Sequence, residues 1–153
     1  MARYQVILAY DGAGFTGSQR QANSRTVQGE LEKALHQIGW TGNSVIMAGR
    51  TDTGVHASGQ VAAFDFNEWS HPAENLLQAL NAKLPADLAV RKLRSVHAEF
   101  HPRFDALSRA YRYRLFCEPI RDPLREKVAW RLWPKPVIDA LNQTAEFFLG
   151  THG

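Results

Sequence analysis

The sequence predicts an α+β fold, and three observations carry that expectation. Strand-like and helix-like apolar patterns follow one another between Tyr4 and Val96 in the order strand, helix, strand, strand, helix, strand. Both helical stretches end on a breaker, Gly39 for the first and Pro85 for the second. The opening run from Tyr4 to Tyr10 alternates as a strand with one buried face does. That order is the ferredoxin-like βαββαβ unit, with its helices on one face of an antiparallel sheet. A β-hairpin and a further helix are expected to follow and to open a second half, dividing the chain into residues 1–104 and 105–153.

Taken in order, Tyr4 to Tyr10 is the first strand, and Asp11-Gly12 ends it. A polar loop runs to about Arg25. Val27, Leu31, Ala34, Leu35 and Ile38 then share one helical face, with Ser24 or Thr26 as the cap. Ser44 to Ala48 and Gln60 to Phe66 read as strands on either side of a loop. Ser70 or His71 caps a helix that begins with Pro72 and packs Leu76, Leu77, Leu80 and Leu84. Leu88 to Val96 is the next strand. Ala106 to Cys117 reads as a long strand, with Tyr111, Tyr113 and Leu115 on one face and Arg112 and Arg114 on the other. Val128 to Trp133 is its expected hairpin partner, across a turn containing Pro119 and Pro123. Pro136 to Leu149 is an amphipathic helix with Ile138, Leu141, Ala145 and Phe148 inward.

With 153 residues, 44% hydrophobic and 22% charged, the chain has the composition of a globular domain rather than of a disordered tract. No apolar run approaches the roughly 20 residues of a membrane span, and the N-terminus leads straight into a strand, so a cytoplasmic protein is expected. The single cysteine, Cys117, agrees with a reducing compartment and reads as a small thiol near a strand end. The net charge of +3 is unevenly spread. Arg91, Lys92, Arg94, Arg103, Arg109, Arg112 and Arg114 meet only Glu99 and Asp105, so residues 91–114 carry 7 − 2 = +5 while the rest of the chain sums to 11 − 13 = −2. Interleaved with Tyr111 and Tyr113, that stripe suits a phosphate backbone with bases to stack, or a solvated edge strand.

The stretch from Ala48 to Ala57 is built for chemistry rather than packing. Asp52 stands between two threonines, with Gly49 and Gly54 close by and Arg50 two residues upstream. Such a segment makes a poor helix and a poor strand, so it forms a tight loop between two strands, where a carboxylate is held by its scaffold. Two short signatures compete for this region. Gly12, Gly14 and Gly17 match the dinucleotide-binding G-x-G-x-x-G, but a polar run through Ser24 separates them from the helix that would hold the phosphate. Asp52-Thr53-Gly54 matches aspartic proteases, but there is no second copy, and only a homodimer would supply the paired carboxylate. His97 and His101 lie four apart, yet Pro102 and the extended pattern around them oppose a metal-binding helical pair.

Arg50, Asp52, Tyr111 and the arginine-rich stretch make better sense as one set. A carboxylate can act as nucleophile or base at a sugar or base carbon, an aromatic ring can stack on an extruded base, and an arginine can fill the gap.

Gly49-Arg50-Thr51-Asp52-Thr53-Gly54-Val55-His56-Ala57 resembles the hallmark loop of the tRNA pseudouridine synthase A family. The resemblance runs through Tyr10-Asp11-Gly12 with Phe15 and Gly17, Val27-Gln28-Gly29, Gly59-Gln60-Val61, and Asn81 with Leu84-Pro85. It continues through Phe100-His101-Pro102-Arg103-Phe104 and Arg109-Ala110-Tyr111-Arg112-Tyr113. It implies the pseudouridine synthase fold and an isomerase that converts uridine to pseudouridine in the anticodon stem-loop of tRNA. By that resemblance Asp52 is the catalytic aspartate that lets uracil leave C1′, turn over and rejoin through C5, as nucleophile or as base. Tyr111 would stack on the flipped uracil, and Arg50 would fill its place in the RNA and pair with Asp52 between turnovers. Thr51, His56, Arg103, Arg109, Arg112 and Arg114 are the expected substrate-binding residues. No cofactor and no metal is implied, because the reaction involves no redox change, and the full-length protein is expected to be a homodimer.

Two departures accompany the resemblance. Gly17-Ser18-Gln19 stands where the family usually has Gly-Trp-Gln. Phe148-Leu149-Gly150-Thr151-His152 resembles a segment that the family continues with Asp-Phe into a second half, which supplies a basic residue near the aspartate and one wall of the cleft. The resemblance therefore implies an N-terminal portion of such an enzyme.

Overall fold

Alternation in β1 (Ala2–Tyr10) sets the architecture, burying Tyr4, Val6, Leu8 and Tyr10 and leaving the residues between them half-buried. β1 pairs antiparallel with β3 (Ala57–Phe66) on one side and β4 (Leu88–Val96) on the other. The short β2 (Ile46–Met47) extends the sheet beyond β3, giving the order β2-β3-β1-β4. Register places Tyr4 opposite Phe64 and Val6 opposite Ala62, so the apolar side chains of both strands share a face. Helices α1 (Val27–Gln37) and α2 (Ala73–Asn81) close that face with Val27, Leu31, Ala34, Leu35, Leu76 and Leu80.

The computed structural model describes residues 1–67 and 69–152, and the chain divides into two compact units, Met1–Arg109 and Ala110–Gly153. In the first unit the start of α1 forms as its sequence requires. The Thr26 side chain accepts from Gly29 N–H at 3.2 Å, and Gly39 takes the left-handed φ of +93° just past the end. α2 departs from expectation at its start, because neither Ser70 nor His71 caps it. Pro72 occupies the cap position without a side-chain bond, and Asn75 N–H turns back to the Pro72 carbonyl. α2 also stops at Asn81 rather than Leu84. There the Asn81 side chain pairs with both the N–H and the carbonyl of Val90, where the β1–β4 register shifts, and so stitches the helix end to β4.

The second unit corrects two expectations. Of the long strand expected over Ala106 to Cys117 only β5 (Leu115–Phe116) forms, and of Val128 to Trp133 only β6 (Trp130–Arg131). The two pair in parallel, so they are not a hairpin. The connection between them is long enough for a crossover, and part of it coils, with Glu126 N–H bonded to the Asp122 carbonyl and Ala129 N–H to that of Arg125. Among the described residues 106–113 meet no ladder partner, and a strand without one has no place to put its backbone groups. Helix α3 (Ile138–Glu146) is shorter than the expected 136–149 and buries none of its residues. Ile138, Leu141 and Phe148, expected inward, are exposed.

Candidate active site

The segment from Ala48 to His56 leaves the sheet edge after β2 and returns into β3, and its backbone is held almost residue by residue. The Ala48 carbonyl accepts from the Arg109 guanidinium at 3.1 Å and the Gly49 carbonyl from Gln60 Nε2 at 2.7 Å. Thr51 is gripped at every polar group. Its N–H donates to Ser18 Oγ at 2.8 Å, its carbonyl accepts from Ser18 N–H at 3.0 Å, and its hydroxyl lies 2.8 Å from the Tyr10 phenol. Val55 N–H turns back to the Asp52 carbonyl, and Gly54 N–H donates to the Phe15 carbonyl. Burial pushes the Tyr10 phenol above its ordinary pKa, against hydrogen bonds with Thr51 and Gln60 that pull it down.

The glycines of the 11–18 segment explain themselves here. A Cβ on Gly12 would sit 2.1 Å from the Val55 carbonyl oxygen, so only glycine lets the two backbones touch. Gly17 takes a φ of +78°, and a Cβ there would lie 2.9 Å from the Thr51 carbonyl. Two of the three glycines of the G-x-G-x-x-G match, Gly12 and Gly17, therefore serve contact with the Asp52 loop, while Gly14 lies against the side chains of Arg25 and Asp87. No α-helix opens on it, only a short 3-10 turn over Gly12–Gly14.

Against this fixed backbone two side chains stand free. Arg50 and Asp52 are both exposed, and among the described residues neither side chain makes a hydrogen bond or ion pair, so the expected Arg50–Asp52 pair is not formed. A carboxylate so presented has all its lone pairs available to a substrate. Thr51 and His56, expected to bind substrate, bond in this structure to residues 10–18. Gly12 N–H lies 3.1 Å and Asp11 Oδ1 3.0 Å from His56 Nδ1. A nitrogen that accepts from Gly12 cannot also donate to Asp11, so the two contacts are alternatives set by which ring nitrogen carries the hydrogen.

Arg109 likewise holds structure, bonding the carbonyls of both Ala48 and Arg103. Arg103 itself is exposed. Tyr111, Arg112 and Arg114 belong to the second unit and are exposed there. Sequence reasoning left out Tyr10, Ser18 and Gln60 as supports of the loop. Their signal lies only in pairings across the fold, from Thr51 to Tyr10 and Ser18 and from Gly49 to Gln60.

A family model described as tRNA pseudouridine synthase matches residues 6–105, the stretch that contains all of the sheet but the first residues of β1, both of its helices and the Asp52 loop. The chain belongs to the tRNA pseudouridine synthase family. Curated relatives named tRNA pseudouridine synthase A include those of Geobacter sp. (strain M21), 43% identical over 99% of this chain, and of Pseudothermotoga lettingae, 42% identical over 99%. The relative from Halalkalibacterium halodurans is 42% identical, again over 99% of this chain. The match covers 61%, 62% and 58% of those three relatives, so the chain spans about three fifths of the length of the synthases it matches. Within the synthase family match, the fold is a mixed α/β unit with an antiparallel sheet. Among the described residues no helix is long and apolar enough to cross a membrane.

Proposed function

We propose that this chain carries the catalytic aspartate of an enzyme that isomerises uridine to pseudouridine in the anticodon stem-loop of tRNA. One observation carries the reading. Asp52 presents an unengaged carboxylate from a loop whose backbone is bonded on both sides of it, which is what a nucleophile or base at a sugar carbon requires. Arg50, equally unengaged two residues upstream, is suited to enter the RNA stack as the uracil leaves. In the same scheme the exposed Tyr111 ring stacks on the flipped base, and Arg103, Arg112 and Arg114 meet phosphates. Arg109 acts one step back, through the Ala48 carbonyl.

Several further expectations belong to the same proposal. The strand order β2-β3-β1-β4, with both helices contributing to one core, favours the ferredoxin-like form of the α/β unit. Residues 105–153 are taken as the start of a second half, and the whole enzyme as a cytoplasmic homodimer that acts on tRNA without a cofactor. A second reading is a catalytically incompetent RNA-binding fragment, favoured by the match to only 57–62% of the relatives' length.

Incubating the chain with tRNA that carries 5-tritiated uridine tests both. Tritium release that disappears in Asp52→Ala supports the isomerase, and release unchanged in that variant overturns it. Salt-sensitive binding without release selects the fragment reading.

A further inference from the structure

We propose that Ser18 is a positioning residue for Asp52, acting with Tyr10 through a clamp on Thr51. The inference rests on the reading of Asp52 as the catalytic carboxylate. Ser18 is wholly buried, and it spends that burial on one neighbour. Its hydroxyl oxygen accepts from Thr51 N–H at 2.8 Å, and its own N–H donates to the Thr51 carbonyl at 3.0 Å. Tyr10, also buried, takes the remaining polar group of Thr51 at 2.8 Å. Thr51 therefore has no free rotation about the bonds that lead into Asp52.

The clamp is anchored at its far end as well. The Ser18 carbonyl accepts from Gln28 N–H at 2.9 Å and the Gly17 carbonyl from Val27 N–H at 3.4 Å, which satisfies two of the unpaired donors at the start of α1. A continuous path of bonds thus runs from the first turn of α1 through Ser18 to Thr51 and on to the aspartate. β1 joins it through Tyr10. Catalytic geometry is steep, since a displacement of about 1 Å costs on the order of a hundredfold in rate. A serine hydroxyl at the residue bonded to Asp52 controls a displacement of that size. It touches no substrate itself.

Two variants test the clamp, Ser18→Ala and Tyr10→Phe, each removing one hydroxyl and leaving the bulk of the side chain. In tritium release from tRNA, each is expected to lower the single-turnover rate by about tenfold or more at equal folded fraction, with tRNA affinity little changed and only the modest fall in unfolding midpoint that the loss of one buried hydrogen bond brings. Amide exchange followed by NMR in the same chain provides an arm that needs no turnover. Exchange at Thr51 is expected to accelerate by about tenfold or more in Ser18→Ala, while amides in β1 and β3 keep their rates. If neither the parent chain nor its variants release tritium, the isomerase reading fails for this chain and the exchange result alone decides the clamp. Thr51 exchange unchanged in Ser18→Ala, or a turnover defect that lies wholly in weaker tRNA binding, overturns the proposal.

Discussion

Leu31 in α1 and Leu141 in α3 hold similar places in two amphipathic patterns, yet Leu31 is fully buried and Leu141 is 43% exposed. The contrast extends to the units they belong to. In the first, two helices and the sheet share one core, and alternation in β1 translates directly into buried and half-buried positions. In the second, the hydrophobic periods are present but α3 buries nothing and the strands shrink to two residues each. An apolar period shapes an element only where a second layer covers it.

The sharpest way to break that comparison is to truncate both leucines. Leu31→Ala is expected to cost about 2–5 kcal/mol in chemical denaturation and Leu141→Ala no more than about 0.5 kcal/mol. Equal losses would mean that the two helices are packed alike. Next in size is Gly12→Ala, which drives a methyl into the Val55 carbonyl. A loss of about 1–3 kcal/mol is expected, with NMR shifts concentrated in residues 11–18 and 51–56. Shifts spread evenly over the sheet would contradict the close approach. Thr26→Ala, which removes the cap of α1, is expected to cost about 1 kcal/mol.

The smallest effect is the response to acid. Hydrogen bonds from Arg3 and Arg25 hold the carboxyls of Asp65 and Asp87 below their ordinary values. Because the folded values are the lower ones, these pairs stabilise the fold above the unfolded carboxylate range near about 4 and lose that contribution as pH falls through the folded values. Both pairs are partly exposed, so each contributes less than about 1 kcal/mol. Arg25 also bonds the Gly14 carbonyl and lies 4.3 Å from the Phe15 ring, so Asp87→Asn is expected to flatten the acid limb and loosen the 11–18 segment together.

These differences also explain what was legible in the sequence. β1, β4 and α1 could be read because alternation, a threonine cap and a terminal glycine are local signals, and each was met by burial. The Asp52 loop could be located because its composition suits neither helix nor strand. What holds it could not, since Thr51 is fixed by Tyr10 and Ser18, and Gly12 and Gly17 answer to backbone that lies some forty residues further along. Arg109 read as a phosphate ligand because its charge was visible and its bond to the Ala48 carbonyl was not. The long strand over Ala106 to Cys117 failed for the complementary reason, because strand propensity does not supply a ladder partner.

The proposed isomerisation requires a carboxylate, and among the described residues the fold makes no use of the one on Asp52. Asp52→Asn isolates that claim, because the side chain keeps its shape and its carboxylate has no partner among the described residues. Tritium release from 5-tritiated uridine in tRNA, compared at equal folded fraction, is the measurement. A loss of at least about a hundredfold is expected. Release within a few-fold of the parent chain would contradict it.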